Sequence, residues 1–225
     1  MKKKTIALSG GFDPIHVGHI RMIRDAANYG EVIVFLNDDT QILTTDWLFE
    51  LSVNAIRRDI GAVGAKLLYP NNTIQHAGVI LGVGGVAGHA FKNMPADYNG
   101  QFNRANIPHN VSAVTGACLA VQRKKFHAVS GFDQENLSVA FNDVDLCLKL
   151  ISEGFRNVFL PQVVLYHHES LTRGAENTEP KKKRFQKEVD FMIKKWGKML
   201  QNDRYFNPNF SLFSEQFELS EPPRI

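Results

Sequence analysis

The chain has 225 residues, 44% of them hydrophobic and 22% charged, an ordinary globular balance with enough apolar mass for a sizeable core. That excludes a disordered tail, a disulfide miniprotein and a coiled coil, and at roughly 150 residues per domain the length allows one large domain or slightly more. The formal net charge of +3 is concentrated in Lys2–Lys4 and Lys181–Arg184; it does not argue for duplex nucleic acid but suits a protein that handles anionic phosphates. Cys118 and Cys147 sit in apolar surroundings without a metal-type spacing and read as reduced core residues. No stretch reaches the ~18 apolar residues of a membrane span, and Thr5–Leu8 is too short for a signal-peptide core. The expected location is the cytoplasm, with peripheral attachment to the inner membrane face through a partner or the basic run left open.

In chain order, Thr5–Leu8 reads as a buried strand entering the Ser9-Gly10-Gly11 turn, and His19–Tyr29 has helical apolar spacing closed by Gly30. Glu31–Leu36 is a continuous apolar run, as in a strand covered on both faces, so the three form a β-α-β unit with parallel strands. Polar Asn37-Asp38-Asp39-Thr40 follow that strand, where open α/β sheets bind ligands. A helix is expected over Asp46–Arg58, a strand over Ala62–Leu68, and a loop or short strands over the glycine-rich 78–88. Residues 111–123 read as strand-turn-strand and Lys124–Val129 as a short helix. Asp143–Glu153 is amphipathic, Asn157–Leu160 and Val163–Tyr166 are strands, and Lys182–Trp196 is a basic helix. From Gln201 the chain is polar and Pro-containing, so residues 201–225 are expected to form a peripheral tail on a single α/β domain spanning 1–200.

Residues 10–19 read Gly-Gly-Phe-Asp-Pro-Ile-His-Val-Gly-His. Two histidines three apart at a helix start, behind a glycine turn, place imidazoles and backbone N–H groups where a triphosphate would lie. The pattern resembles the opening of the cytidylyltransferase-like nucleotidyltransferases, over about Lys4 to Leu36. The resemblance implies phosphate binding by Gly10, Gly11, His16 and His19, with the two histidines stabilising a phosphoryl transition state. The remainder of that family's motifs, including a late element ending in Arg, has no counterpart here.

From Phe35 onward the chain resembles a different family. The blocks are Leu36-Asn37-Asp38-Asp39-Thr40, Asp46-Trp47-Leu48, Gly61–Leu67, Gln75-His76-Ala77-Gly78 and Val114-Thr115-Gly116-Ala117-Cys118. They continue through Gly131-Phe132-Asp133, Phe141-Asn142-Asp143-Val144-Asp145-Leu146-Cys147-Leu148 and Tyr166-His167-His168-Glu169-Ser170. In this order they are similar to the second half of family 2 glycosyltransferases of the GT-A fold, close to the rhamnosyltransferase-like group. The fold implied is a shortened GT-A-like, Rossmann-like α/β domain: a mixed, mainly parallel sheet flanked by helices.

That resemblance implies metal-dependent transfer of a sugar from a nucleoside diphosphate sugar to a glycan or lipid-linked acceptor, as in polysaccharide biosynthesis. A divalent metal, Mn2+ or Mg2+, neutralises the departing diphosphate. Asp39 matches the metal-binding aspartate, Asp38 would sit near the ribose or the metal's waters, and His167 or His168 completes the metal site. Without the family both aspartates read as turn residues. Asp143 matches the general base, with helix capping as its other role. Asn142 stands where glutamate is commoner, and Thr115 and Gly116 fall on the acceptor or sugar side. Asp145 falls on a different helical face from Asp143 and reads as structural. His76, His89 and His109 read as loop residues.

The two resemblances meet near residue 36, so a nucleotidyltransferase-like strand-helix-strand replaces the longer first half of a family 2 enzyme. This supplies a strand beside the metal-motif strand, omits the outer strands that cradle the base, and leaves an edge exposed or covered by a partner. Two alternatives stand beside glycosyl transfer: nucleotidyl transfer to a sugar phosphate, and a recombined remnant that folds and binds a nucleotide weakly.

Overall fold

The computed structural model describes residues 8–9, 32–168 and 178–224. The helix expected over 19–29, and with it Gly10, Gly11, His16 and His19, lies outside the described residues.

Ten strands are described: β1 (Leu8–Ser9), β2 (Val32–Leu36), β3 (Thr40–Ile42), β4 (Ile60–Leu68), β5 (Ile74–His76), β6 (Val79–Leu81), β7 (Ala87–His89), β8 (His109–Val111), β9 (Cys118–Gln122) and β10 (Arg156–His167). The α-helices are α1 (Trp47–Ala55), α2 (Arg123–Ala128), α3 (Asn142–Ser152) and α4 (Glu179–Gln201). The main sheet has the order β1-β2-β9-β4-β10-β3, with β5 on β4 and β8 on β10; β6 and β7 form a separate hairpin.

The expected mixed α/β sheet flanked by helices is present, and β1 pairs parallel with β2 as the β-α-β reading requires. β10 also pairs parallel with β4. Antiparallel pairing is more prominent than expected, because β9 runs antiparallel to both of its neighbours, β2 and β4. Since both oppose β9, β2 and β4 point the same way, and β1 and β10 share that direction. The ends of β2, β4 and β10 therefore gather at one edge, together with the start of β9. The two strands expected at 157–160 and 163–166 are one strand, β10, whose register against β4 slips between Leu160 and Val164. Pro161 lies in the slip, where its missing N–H costs no ladder bond.

Side chains alternate across the sheet and feed two cores. Val63, Ala65 and Leu67 of β4, Val32 and Val34 of β2, and Cys118 and Ala120 of β9 pack with Trp47, Leu48, Leu51 and Ala55 of α1. On the other face Ile33, Ala62, Leu119 and Val121 join Val144, Leu146, Leu148 and Leu150 of α3 and Met192 and Leu200 of α4. Gly64 lets β4 approach the loop before β9: a Cβ there would stand 2.4 Å from Val114 Cβ. Both cysteines are buried and unpaired, and burial pushes the Cys118 thiol up to about 12.

Buried polar groups join the layers. Asn157 accepts the Ala62 N–H and donates to the carbonyls of Ser112 and Cys147. Lys125 of α2 donates to the carbonyls of Ala55, Arg57 and Ile60, closing the end of α1 onto the start of β4. Asp145 is fully buried and takes Trp196 Nε1–H at 2.8 Å, Lys195 Nζ at 2.7 Å and Lys149 Nζ at 3.0 Å, which fastens α4 to α3. Asp145→Ala leaves two ammonium groups without their carboxylate, and is expected to lower the unfolding free energy measured in urea by about 3 kcal/mol.

The segment after Gln201, expected as a peripheral tail, instead buries Asp203, Phe206 and Phe217. Phe217 stacks on Phe91 with centroids 4.6 Å apart, and Asp203 accepts the Leu81 N–H and the Ser112 hydroxyl. The aromatic residues, spaced irregularly among polar ones, had no local period to reveal this packing.

Candidate functional site

Two groups of predicted residues lie at the sheet edge where β2 and β10 end. The first forms because β3 folds back antiparallel on β10, setting Thr40 opposite His167. Asp39 Oδ1 then stands 3.0 Å from His167 Nε2, with both side chains only about a tenth exposed. Asp39 Oδ1 is nevertheless buried without a hydrogen bond of acceptable geometry, the His167 ring included. Asn37 Nδ2 is 3.1 Å from the same His167 Nε2. On the other side of the ring, His167 Nδ1 is 2.6 Å from Gln75 Oε1.

His168 enters differently: its backbone N–H donates to the Asp39 carbonyl at 2.9 Å. Among the described residues no three His, Cys, Asp or Glu side chains converge, so Asp39 and His167 stand as a pair. Asp38 is exposed at the turn between β2 and β3.

The second group forms at the N-terminus of α3. Asp143 Oδ2 accepts the Gly116 N–H at 2.7 Å and Oδ1 accepts the Val144 N–H at 2.8 Å. The N-cap position is held by Phe141, in a left-handed conformation with φ of 62°, and not by an Asp or Asn. Asp143 thus satisfies one of the helix's own first N–H groups while reaching across to the loop before β9. Thr115 turns that loop, with its hydroxyl accepting the Ala117 N–H at 3.4 Å, and Asn142 opens the helix beside Asp143. The two groups are joined through the backbone: the Asn37 N–H donates to the Ala117 carbonyl at 3.0 Å. Thr115, Gly116, Asn142 and Asp143 are brought together, and their loop abuts the turn carrying Asp38 and Asp39.

Three supporting residues were not singled out from the sequence. Gln75 is 5% exposed and holds His167; its only signal was its place in the Gln75-His76-Ala77-Gly78 block. Asn37 belonged to the motif but was assigned no role. Glu188 of α4, 2% exposed, accepts the Val139 and Ala140 N–H groups and the Ser138 hydroxyl, and so shapes the approach to Phe141 and α3. It lies within the basic helix Lys182–Trp196, where nothing in the local sequence marks one acidic residue as buried.

His76, His89 and His109 lie in strands β5, β7 and β8, not in loops. His76 is fully buried, and its Nδ1 stands 2.7 Å from His89 Nδ1. Burial, then the nearby imidazoles of His89 and His167, push the His76 pKa well below the usual histidine range. Burial lowers His109 as well. The unfolded chain takes up these protons near pH 6.5 while the folded chain resists them, so stability falls as the pH drops below about 6.5. Urea unfolding is expected to show lower stability at pH 5.5 than at pH 7.5, by up to about 1.4 kcal/mol from His76 in total, because only the pH unit below about 6.5 contributes. His76→Leu should flatten that slope; an unchanged slope would mean that His76 protonates freely in the folded state.

Residues 7–51 match the cytidylyltransferase-like family. Over 217 residues the chain is 44% identical to the uncharacterised protein y4gI of Sinorhizobium fredii, covering 90% of this chain and 24% of that protein. It is 36% identical over 200 residues to the O-antigen biosynthesis protein RfbC of Myxococcus xanthus, covering 86% of this chain and 15% of the relative. A 66-residue stretch, 29% of the chain, is 35% identical to the N-acetylglucosaminyl-diphospho-decaprenol L-rhamnosyltransferase of Mycobacterium tuberculosis and covers 21% of it. The chain therefore spans a quarter or less of the length of these relatives. Among solved structures, its fold is similar to that of GalNAc-T7 crystallised with UDP, GalNAc and Mn2+, with a TM-score of 0.55 at 15% identity over 84% of this chain and 36% of that one. The sequence is thus glycosyltransferase-like with a nucleotidyltransferase-like first segment, and the fold is of the GT-A type.

Proposed function

We propose that this glycosyltransferase-like chain of GT-A fold transfers a sugar from a nucleoside diphosphate sugar to a glycan or lipid-linked acceptor, using a divalent metal. The observation that carries the reading is the buried Asp39 Oδ1, facing His167 Nε2 at 3.0 Å without a hydrogen bond, at the edge where the strands end. A carboxylate oxygen and an imidazole nitrogen turned toward each other form a donor pair for a divalent cation. Asp39 and His167 would hold Mn2+ or Mg2+, which when bound supplies charge neutralisation for the departing diphosphate. His168 would act through its backbone, and Asp38, at the exposed turn, would meet the ribose.

Asp143 is the general base. Its two backbone N–H partners fix the carboxylate while each oxygen keeps lone-pair capacity for an incoming proton. As the acceptor oxygen bonds to the anomeric carbon, the bond from that carbon to the diphosphate breaks and Asp143 takes the hydroxyl proton. Thr115, Gly116 and Asn142 line the acceptor or sugar side. The basic face of α4 suits an anionic lipid-linked acceptor at a membrane surface; no helix among the described residues is long and apolar enough to cross a membrane. In this reading residues 1–200 work as one α/β unit, completed by the segment after Gln201 that packs into its core.

A second reading is nucleotidyl transfer by the first segment, through Gly10, Gly11, His16 and His19; the family match over residues 7–51 favours it. The two separate on products. Release of nucleoside diphosphate from a nucleotide sugar, dependent on manganese and acceptor, supports the first. Release of pyrophosphate from CTP or ATP with a sugar phosphate, lost in His16→Ala, supports the second. Neither product from any donor would leave a non-catalytic remnant.

A further inference from the structure

Gln75 lies at an irregularity in the sheet. β5 pairs with β4 through Leu67 opposite His76 and Leu68 opposite Ile74, so Gln75 is the extra residue of a bulge. A bulge re-aims the side chain of the extra residue, and here it sends a nearly buried amide to the end of β10. The Gln75 Oε1 stands 2.6 Å from His167 Nδ1, while its Nε2 faces the His167 carbonyl at 3.5 Å. That second contact orients the amide, because the nitrogen can donate to the carbonyl and the oxygen cannot.

An amide oxygen only accepts, so the His167 Nδ1 it faces must carry the proton. On the opposite side of the ring, Asn37 Nδ2 only donates, and it faces Nε2 at 3.1 Å. Two amides from distant parts of the chain thus select one tautomer, with an unprotonated Nε2 facing both the Asn37 amide and Asp39 Oδ1. A cation taking that lone pair would displace the amide of Asn37, an exposed residue. We infer that Gln75 is the positioning residue of this site: it holds His167 as the Nδ1–H tautomer, so that the Nε2 lone pair and Asp39 Oδ1 face a shared cation. This rests on the metal-site reading given above. Without Gln75, His167 can move its proton to Nε2 and pair directly with Asp39, closing the cation position. The role also accounts for the Gln75-His76 block, which the proposed chemistry otherwise leaves unused.

The test uses the whole chain labelled with 15N-histidine. Long-range 1H–15N spectra report the protonated nitrogen of each ring, and the His167 signals are identified by their loss in His167→Gln. Manganese affinity is read separately, from water-proton relaxation with Mn2+ alone. The wild type is expected to show Nδ1–H for His167, and Gln75→Leu to shift it toward Nε2–H. Mn2+ affinity should then fall by about 10–100-fold, the usual loss when the partner orienting a metal-binding histidine is removed. Gln75→Glu, whose carboxylate also accepts from Nδ1–H, should restore both. An Nε2–H tautomer in the wild type overturns the inference, and that measurement needs no variant to fold. So does Mn2+ affinity unchanged in a folded Gln75→Leu. The Nδ1–H tautomer in a wild type that binds no Mn2+ would uphold the orienting bond and overturn the metal-site reading instead.

Discussion

Asp143→Asn is expected to lower glycosyl-transfer turnover by about 10²–10⁴-fold, the range general-base catalysis contributes, while leaving donor affinity within a few-fold. The asymmetry follows from how Asp143 is held. The asparagine oxygen can still accept one N–H, that of Gly116 or that of Val144, so the side chain keeps one of its two anchors to the loop before β9 and the start of α3. What is lost, if Asp143 is the proposed base, is the capacity to take the acceptor proton. The kcat and the donor KM, measured with manganese saturating, check this. A variant retaining more than about a tenth of the wild-type rate would assign the proton to another group. Asp145, two residues on, gives the internal contrast: its replacement should reduce stability rather than separate kcat from KM, because its oxygens face Lys149, Lys195 and Trp196 inside the protein.

Asp39→Ala is expected to abolish the manganese-dependent stabilisation of the chain by its cognate nucleoside diphosphate. A ligand at 100 times its dissociation constant adds about 2.7 kcal/mol, which for a domain of this size is a melting shift of roughly 5–10 °C. A thermal-shift series with UDP, TDP and GDP, each with and without Mn2+, measures it and also identifies the base. The ligand-free variant should melt no lower than the wild type, since the substitution removes a buried oxygen that has no hydrogen bond. Loss of the ligand shift together with a collapse of the ligand-free melting point would make Asp39 a structural residue. A shift that survives intact would remove Asp39 from the donor site.

Much of this site was legible because its parts are local. The apolar run Val32–Leu36 followed at once by Asn37-Asp38-Asp39 says, without any partner, that a buried strand delivers carboxylates to a sheet edge. The spacing of apolar residues in Asn142–Ser152 likewise separates the faces carrying Asp143 and Asp145. Boundaries moved by only a few residues, as in α1, which ends at Ala55 where the pattern suggested Arg58. The ordered blocks from Leu36 to Ser170 carried the resemblance to glycosyltransferases, and the relatives and the GT-A neighbour agree with it.

The tertiary structure decided which groups meet. Two adjacent histidines at a strand end were equivalent in sequence. The pairing of β3 with β10 sets the His167 ring against Asp39 and gives His168 a backbone role, since neighbouring residues on a strand face opposite sides. The bulge at Gln75 depends on how β5 meets β4, and the reversal of β9 between β2 and β4 on packing that no single strand encodes. The burial of Phe206 and Phe217 is equally non-local. Asn37 and His167 stand 130 residues apart yet share a nitrogen contact. Periodicity along a chain reports which side of an element is apolar; it is silent on which polar atoms from distant elements converge, and here that convergence makes the site.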